Sequence, residues 1–142
     1  MIIAVKYPHL GRDIRVHFAV PGVRLPVRTR AGGVRLLPWG RREGEPGNFP
    51  IGCCARLEAI QSGDWDYWFP IPVQLPLTQL LERDSRGHGV WSYPLVRGNL
   101  IQGLIARDGE EQRGYVVTIP AERLEGFERV ARVVVSCQPF QL

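Results

Sequence analysis

Cysteine is scarce in this chain and poorly spaced for cross-linking. There are three, an odd number, and two are adjacent as Cys53-Cys54. That pattern excludes a disulfide framework and is not a zinc spacing such as C-x-x-C. A reduced, cytoplasmic protein is the expectation. Long apolar runs are also missing: none approaches the roughly 18 residues a membrane span needs. Met1-Ile2-Ile3-Ala4-Val5 meets Lys6 too soon to read as a signal peptide, so no membrane partner is expected. His9, His17 and His88 are scattered, and none stands at ligand spacing from a Cys or an acid. No metal and no cofactor is expected. Phosphate-binding P-loops, Gly-x-Ser-x-Gly and His-Glu-x-x-His are all absent.

Lysine is nearly absent too, with one Lys against seventeen Arg. The guanidinium fork suits phosphate recognition and base stacking, although GC-rich coding also favours Arg. Residues 1–42 carry nine Lys or Arg against Asp13 alone, a net +8. The other hundred residues carry nine basic and thirteen acidic side chains, a net −4. A modest overall +4 therefore hides a basic first third. Such a stretch attracts phosphates and releases counterions on binding. It can equally be a solvated strand face that uses Arg.

With 142 residues, 44% of them hydrophobic, the chain can bury a single core. One domain over 1–142 is expected. Sixteen Gly and twelve Pro cut the sequence into short pieces. Ile14, Val16, Phe18 and Val20 alternate with Arg15, His17 and Ala19, the period of a half-buried strand. Val23 to Thr29, Val34 to Leu37, Val90 to Tyr93, Leu100 to Arg107, Tyr115 to Ile119 and Val133 to Cys137 read as further strands. Alternate residues of a strand share a face, so Arg24, Arg28, Arg30 and Arg35 are expected together. Arg56 to Gln61 and Pro120 to Val130 read as short helices, the second with Pro in its first turn. Tyr67 to Gln79 is aromatic and Pro-rich, and reads as extended and irregular. Asp64 and Asp66, flanking Trp65, read as a turn with buried aromatics.

The segment from Trp39 to Glu58 combines most of the residues suited to a site. Trp39-Gly40 leads through Arg41 and Arg42 into a loop ending Pro46-Gly47-Asn48-Phe49-Pro50, then Cys54-Ala55-Arg56-Leu57-Glu58. Trp39 and Phe49 are candidates to stack on bases, and Arg41, Arg42 and Arg56 to hold phosphates. Each has a structural alternative. Trp39 can lie in the core, Phe49 can anchor the loop, and Arg56 with Glu58 can fix a helix start.

The order of these pieces resembles a known family. Trp39-Gly40, Pro46-Gly47-Asn48-Phe49, Ala55-Arg56-Leu57-Glu58, Leu81-Glu82, Gly114-Tyr115-Val116-Val117-Thr118 and the stretch 127–135 together look like a shortened SRAP (SOS-response-associated peptidase) domain. The likeness covers about residues 25–136. Members of that family crosslink covalently to abasic sites in single-stranded DNA. The resemblance implies a basic channel for a single strand, an aromatic wedge at a strand–duplex junction, and a catalytic glutamate at Glu82. Departures are as plain. The family's nucleophile is a Cys at position 2, where this chain has Ile2; the family's Asn falls near Cys54, and its late His near Glu128. The family's product is a thiazolidine that needs a thiol next to a free α-amine, which neither Cys53 nor Cys54 has.

The expected architecture is α+β: a curved, barrel-like, mostly antiparallel sheet with two or three short helices. The expected role is binding of single-stranded or junction DNA in damage handling, with crosslinking chemistry degenerate or altered. The expected nucleic-acid contacts are Trp39, Arg41, Arg42, Phe49, Arg56 and Glu58. A sharper alternative makes Cys54 a thiol nucleophile and Glu82 its acid/base. Another is a protein-interaction module of phage origin on a similar β scaffold, which would expose an apolar patch.

Overall fold

The computed structural model describes residues 2–83, 86–92, 100–119, 132–133 and 135–136. Within them the chain is mostly strand, arranged in two sheets. The smaller sheet has the order β2-β1-β7-β8, formed by Ile2–His9 (β1), Arg12–His17 (β2), Gln79–Arg83 (β7) and Gly89–Ser92 (β8). All of its pairings are antiparallel. The larger sheet has the path β11-β10-β9-β6-β3-β4. Its strands are Arg24–Arg28 (β3), Val34–Pro38 (β4), Ile71–Leu75 (β6), Leu100–Asp108 (β9), Glu111–Ile119 (β10) and Arg132–Val133 (β11). Cys54–Arg56 (β5) joins β10 in parallel, and Val135–Ser136 (β12) joins β9.

The two faces of the larger sheet explain its sequence. Leu25, Val27, Leu37, Val73, Leu75, Ile101 and Val116 pack against Ile2, Val5, Tyr7 and Leu80 of the smaller sheet. Leu104, Ala106, Tyr115 and Val117 point to the other side, onto Phe49, Ala55, Ile60 and Trp65. Strands β9 and β10 are thus buried on both faces, which is why Leu104-Ile105-Ala106 and Tyr115-Val116-Val117 are continuous apolar runs instead of alternating ones. Each fully buried Leu, Ile or Val of this kind contributes about 1.5–3 kcal/mol.

Prolines in β3 and β6 have a topological reason. The two strands meet at one register position only, Arg28 opposite Gln74. Pro26 and Pro72 therefore sit on strands with a largely unpaired second edge, where a missing N–H costs little. This is also why the stretch 67–79 reads as irregular while containing β6 and the start of β7.

The helix expected over Arg56 to Gln61 is present as α1, Leu57–Gln61. Glu58 stands in its first turn, where an acid meets the positive end of the backbone dipoles. Five residues cannot hold a helix alone. Ile60 anchors it in the second cluster, and Ser62 and left-handed Gly63 end it. A single 3-10 turn, Asp66–Trp68, follows. Trp65 packs edge-on against Tyr115 at 4.8 Å, with Asp64 and Asp66 left outside, the turn anticipated from sequence. The Pro120 to Val130 helix and Cys137 lie outside the described residues.

The larger sheet rolls toward closure but does not reach it. Beyond β4, Trp39 bridges to Gly114, the Gly40 N–H donates to the Gly114 carbonyl at 2.8 Å, and Arg35 Nη2 donates to Gln112 Oε1 at 3.0 Å. No ladder joins β4 to β10 along its length, so the described strands form an open rolled sheet and not a barrel. The expected grouping of arginines also fails in part. Arg24 and Arg28 share one exposed face of β3, but Arg35 lies opposite Val27, on the other face, where it stays exposed and reaches Gln112.

Candidate functional site

The loop from Arg41 to Phe49 is braced from inside. Gly40 and Gly52 set its ends: Arg41 and Gly52 exchange both backbone hydrogen bonds, at 3.2 and 2.7 Å. Arg41 donates from Nε and Nη2 to the Glu45 carbonyl and from Nη1 to the Phe49 carbonyl at 2.9 Å. Arg42 lies on the Phe18 ring at 4.2 Å and donates to the Phe18 and Trp39 carbonyls at 2.6 and 2.8 Å. Its remaining nitrogen, Nη2, is sealed from solvent with no hydrogen-bond partner. Arg113 of β10 closes the cluster. It stacks over Phe49 at 5.2 Å and donates to the Gly40 carbonyl, Glu45 and Glu111. Glu45 thus stands between Arg42 and Arg113, at 3.3 and 3.2 Å. Burial pushes its carboxyl upward, but the Arg42 N–H and the two guanidiniums outweigh that and hold it below the usual carboxylate range.

This arrangement reassigns four expected nucleic-acid contacts. Trp39 is 0% exposed and its Nε1 donates to the Cys53 carbonyl at 3.0 Å. Phe49 is 2% exposed under Arg113. Neither offers a ring face to a base, because each is already enclosed by protein. Arg41 and Arg42 direct their donors at loop carbonyls, so neither fork is directed outward at a phosphate. Arg113 is central to the loop, yet nothing local in the sequence marks it, since its partners are the distant Gly40 and Glu45.

Arg56 and Glu58 remain on the surface at the start of α1, both exposed. They make no ion pair with each other among the described residues, so the helix start is not fixed by that pair.

Glu82 and Cys54 come together, along with position 2. In the β1–β7 register Ile2 stands opposite Glu82, on the side of the sheet that Leu80 turns to the core. Cys53 Sγ donates to the Ile2 carbonyl at 3.3 Å, and the Cys53 and Cys54 thiols lie against each other. The contact between the thiols pushes the Cys54 thiol well above the ordinary thiol range, with burial and the Glu82 charge adding to it. The same contact holds the Cys53 thiol below that range. Cys53 is buried, Cys54 and Glu82 half-buried, and the Ile2 side chain is enclosed. Chemically, this cluster holds one thiol kept protonated, one buried thiol and one carboxylate. No group of three or more His, Cys, Asp or Glu side chains is arranged to hold a metal ion among the described residues.

The exposed surface carries two further features. On the outer side of the smaller sheet, Trp91 lies against Lys6 and Arg15. Near the 3-10 turn, Tyr67 and Phe69 are 69% and 61% exposed, Ile71 is exposed beside them, and Arg107 lies over the Phe69 ring. In comparisons with known proteins, no family model, no curated protein and no solved structure matches the chain. No described helix is long and apolar enough to cross a membrane.

Proposed function

We propose that this chain is an SRAP-like domain, its rolled sheet a variant of that fold, which binds single-stranded or junction DNA without the family's crosslinking chemistry. One observation carries the reading. Position 2, Cys54 and Glu82 are the positions that the resemblance assigns to the family's reactive centre. They come from β1, β5 and β7, far apart in sequence, yet Ile2 pairs with Glu82 and the Glu82 charge reaches the Cys54 thiol.

The residues in that cluster account for the loss of crosslinking. Ile2 has no thiol, and its side chain is enclosed in the core. Attack on an abasic aldehyde needs a thiolate, and the Cys54 thiol is held protonated at neutral pH. Glu82 sits beside it as a second negative group that disfavours the thiolate further. Binding then rests on cations outside this cluster, with Arg56 exposed at the end of β5 and Arg24 and Arg28 on β3.

The test is binding to labelled single-stranded and junction oligonucleotides, with and without an abasic site, across a salt series, followed by a denaturing gel. Salt-sensitive binding with no gel-stable adduct is the expected result. An adduct on abasic DNA would overturn the loss of chemistry. Absence of binding at low salt would overturn nucleic-acid recognition altogether. A second reading, a protein-interaction module, would then lead, favoured by the exposed Tyr67, Phe69 and Ile71.

A further inference from the structure

The outer face of the β2-β1-β7-β8 sheet lies on the other side of that sheet from Ile2 and Glu82. Its composition is unusual. Residues facing outward include Lys6 on β1, Arg15 and His17 on β2, Gln79, Leu81 and Arg83 on β7, and Trp91 on β8; the register places Lys6 opposite both Arg15 and Gln79, and Leu81 opposite Trp91. Glu82 turns to the opposite side, so Asp13, near the β1–β2 turn, is the one acid on this face among the described residues.

Trp91 does more than cover its own strand. Its indole ring lies 4.3 Å from Lys6 Nζ and 5.1 Å from Arg15 Cζ. Because the strand order is β2-β1-β7-β8, these contacts span the surface over β7. An indole laid across a sheet surface costs exposed apolar area unless something covers it. Here it is only half-buried. Lys6 is held in place by Gln79 Oε1 at 2.9 Å, a neutral partner, so its charge is not cancelled. Arg15 is exposed and has no acidic partner among the described residues. A fixed aromatic ring thus stands beside two uncompensated cations on a sheet face.

From this geometry we infer that the outer face of the small sheet is a platform for single-stranded nucleic acid. A base stacks on Trp91, and Lys6 and Arg15 take the flanking phosphates. Single strands fit this chemistry because their bases expose π faces, which a duplex hides in its stack. The inference deepens the proposed DNA binding and rests on it, but it places the strand on the opposite side of the small sheet from Glu82.

The probe is fluorescein-labelled dT12, with a duplex of equal length and a strand–duplex junction, read by anisotropy over a salt series. Trp91→Ala is expected to weaken dT12 binding about 5- to 150-fold, the worth of one stacked base. Trp91→Phe recovers most of that loss. Arg15→Gln, a change on the exposed surface, keeps the test independent of β8, and lowers the salt slope by about 0.7. Duplex binding changes little with Trp91→Ala. If wild type binds dT12 and Trp91→Ala binds it equally well, the platform is overturned while the proposed DNA binding stands. If only the charge substitutions weaken binding, the face is electrostatic and the stacking claim is overturned. If Trp91→Ala and Arg15→Gln both weaken dT12 binding while abasic DNA gives a gel-stable adduct, the platform holds and the proposed loss of crosslinking chemistry fails. No binding of dT12 by wild type overturns both.

Discussion

Trp39→Phe separates a core tryptophan from a base-stacking one. In the folded protein Trp39 is fully enclosed, edge-on to Phe18 at 5.2 Å, with Nε1 donating to the Cys53 carbonyl. That carbonyl also accepts the Val116 N–H at 3.1 Å, so losing the indole does not orphan it. The lost hydrogen bond alone is worth about 1 kcal/mol. Removing the pyrrole portion takes away about one to two methylene equivalents of burial, about 1–2 kcal/mol. It leaves roughly 40 Å³ of space, about 1 kcal/mol if the site does not collapse. The sum is about 2–4 kcal/mol of destabilisation, roughly a 6–15 °C fall in Tm for a domain of this size. Urea unfolding followed by circular dichroism measures it. Oligonucleotide affinity, measured at a temperature where both proteins are folded, should not move. A stability loss below about 0.5 kcal/mol, or weaker DNA binding by folded variant, would refute the assignment of Trp39 to the core.

Three further outcomes follow from the loop. Glu45 has a folded-state pKa below its ordinary value, so its contribution is present above about pH 4.3 and fades as pH falls through the lower, folded value. The Tm gap between wild type and Glu45→Gln should therefore be constant near pH 6–7 and close below about pH 4; a gap that does not change with pH would contradict the pairing with Arg42 and Arg113. Gly40 has φ +56°, and a Cβ there would overlap the Gly52 carbonyl oxygen. Gly40→Ala should cost more than the about 1–2 kcal/mol of the left-handed backbone alone. Gly44→Ala, with φ +86° and open space around it, should cost only that backbone part; equal losses in urea unfolding would show that the Gly52 contact does not matter.

How much was legible depends on how local the cause was. Strands β3, β4, β9 and β10 could be read because alternation or a continuous apolar run reports burial directly, and α1 because its residues are good helix formers ended by Ser62-Gly63. Strand β6 could not, because Pro72 argues against a strand until the weak β3–β6 pairing is known. The rolled but open sheet was not legible at all, since it depends on how Trp39 and Gly40 meet Gly114. Among the site residues, Glu82 and Cys54 were singled out by the family resemblance, not by any spacing. Trp39 and Phe49 were misassigned because an aromatic flanked by Gly, Pro and Arg looks the same whether it is enclosed or exposed. Trp91 was read only as part of a strand, because its partners Lys6 and Arg15 are brought to it by two intervening strands.

The basic first third shows why charge along a sequence is a poor guide to charge on a surface. Nine cations within 42 residues suggest one patch. The topology divides them. Lys6 and Arg15 enter the small sheet, which also takes β7 and β8 from the middle of the chain. Arg24 and Arg28 face outward from one side of the larger sheet, and Arg35 is exposed on the other. Arg41 and Arg42 face inward to hold a Gly- and Pro-rich loop that has no regular backbone pairing of its own between Arg41 and Gly52. A guanidinium is suited to that work because one planar fork can satisfy several carbonyls that would otherwise need water. The preference for Arg over Lys thus has a structural cause in the loop, where a lysine could not span the same acceptors. On the outer sheet face Lys6 serves as well as Arg15, since there a point charge beside an aromatic ring is all that the geometry requires.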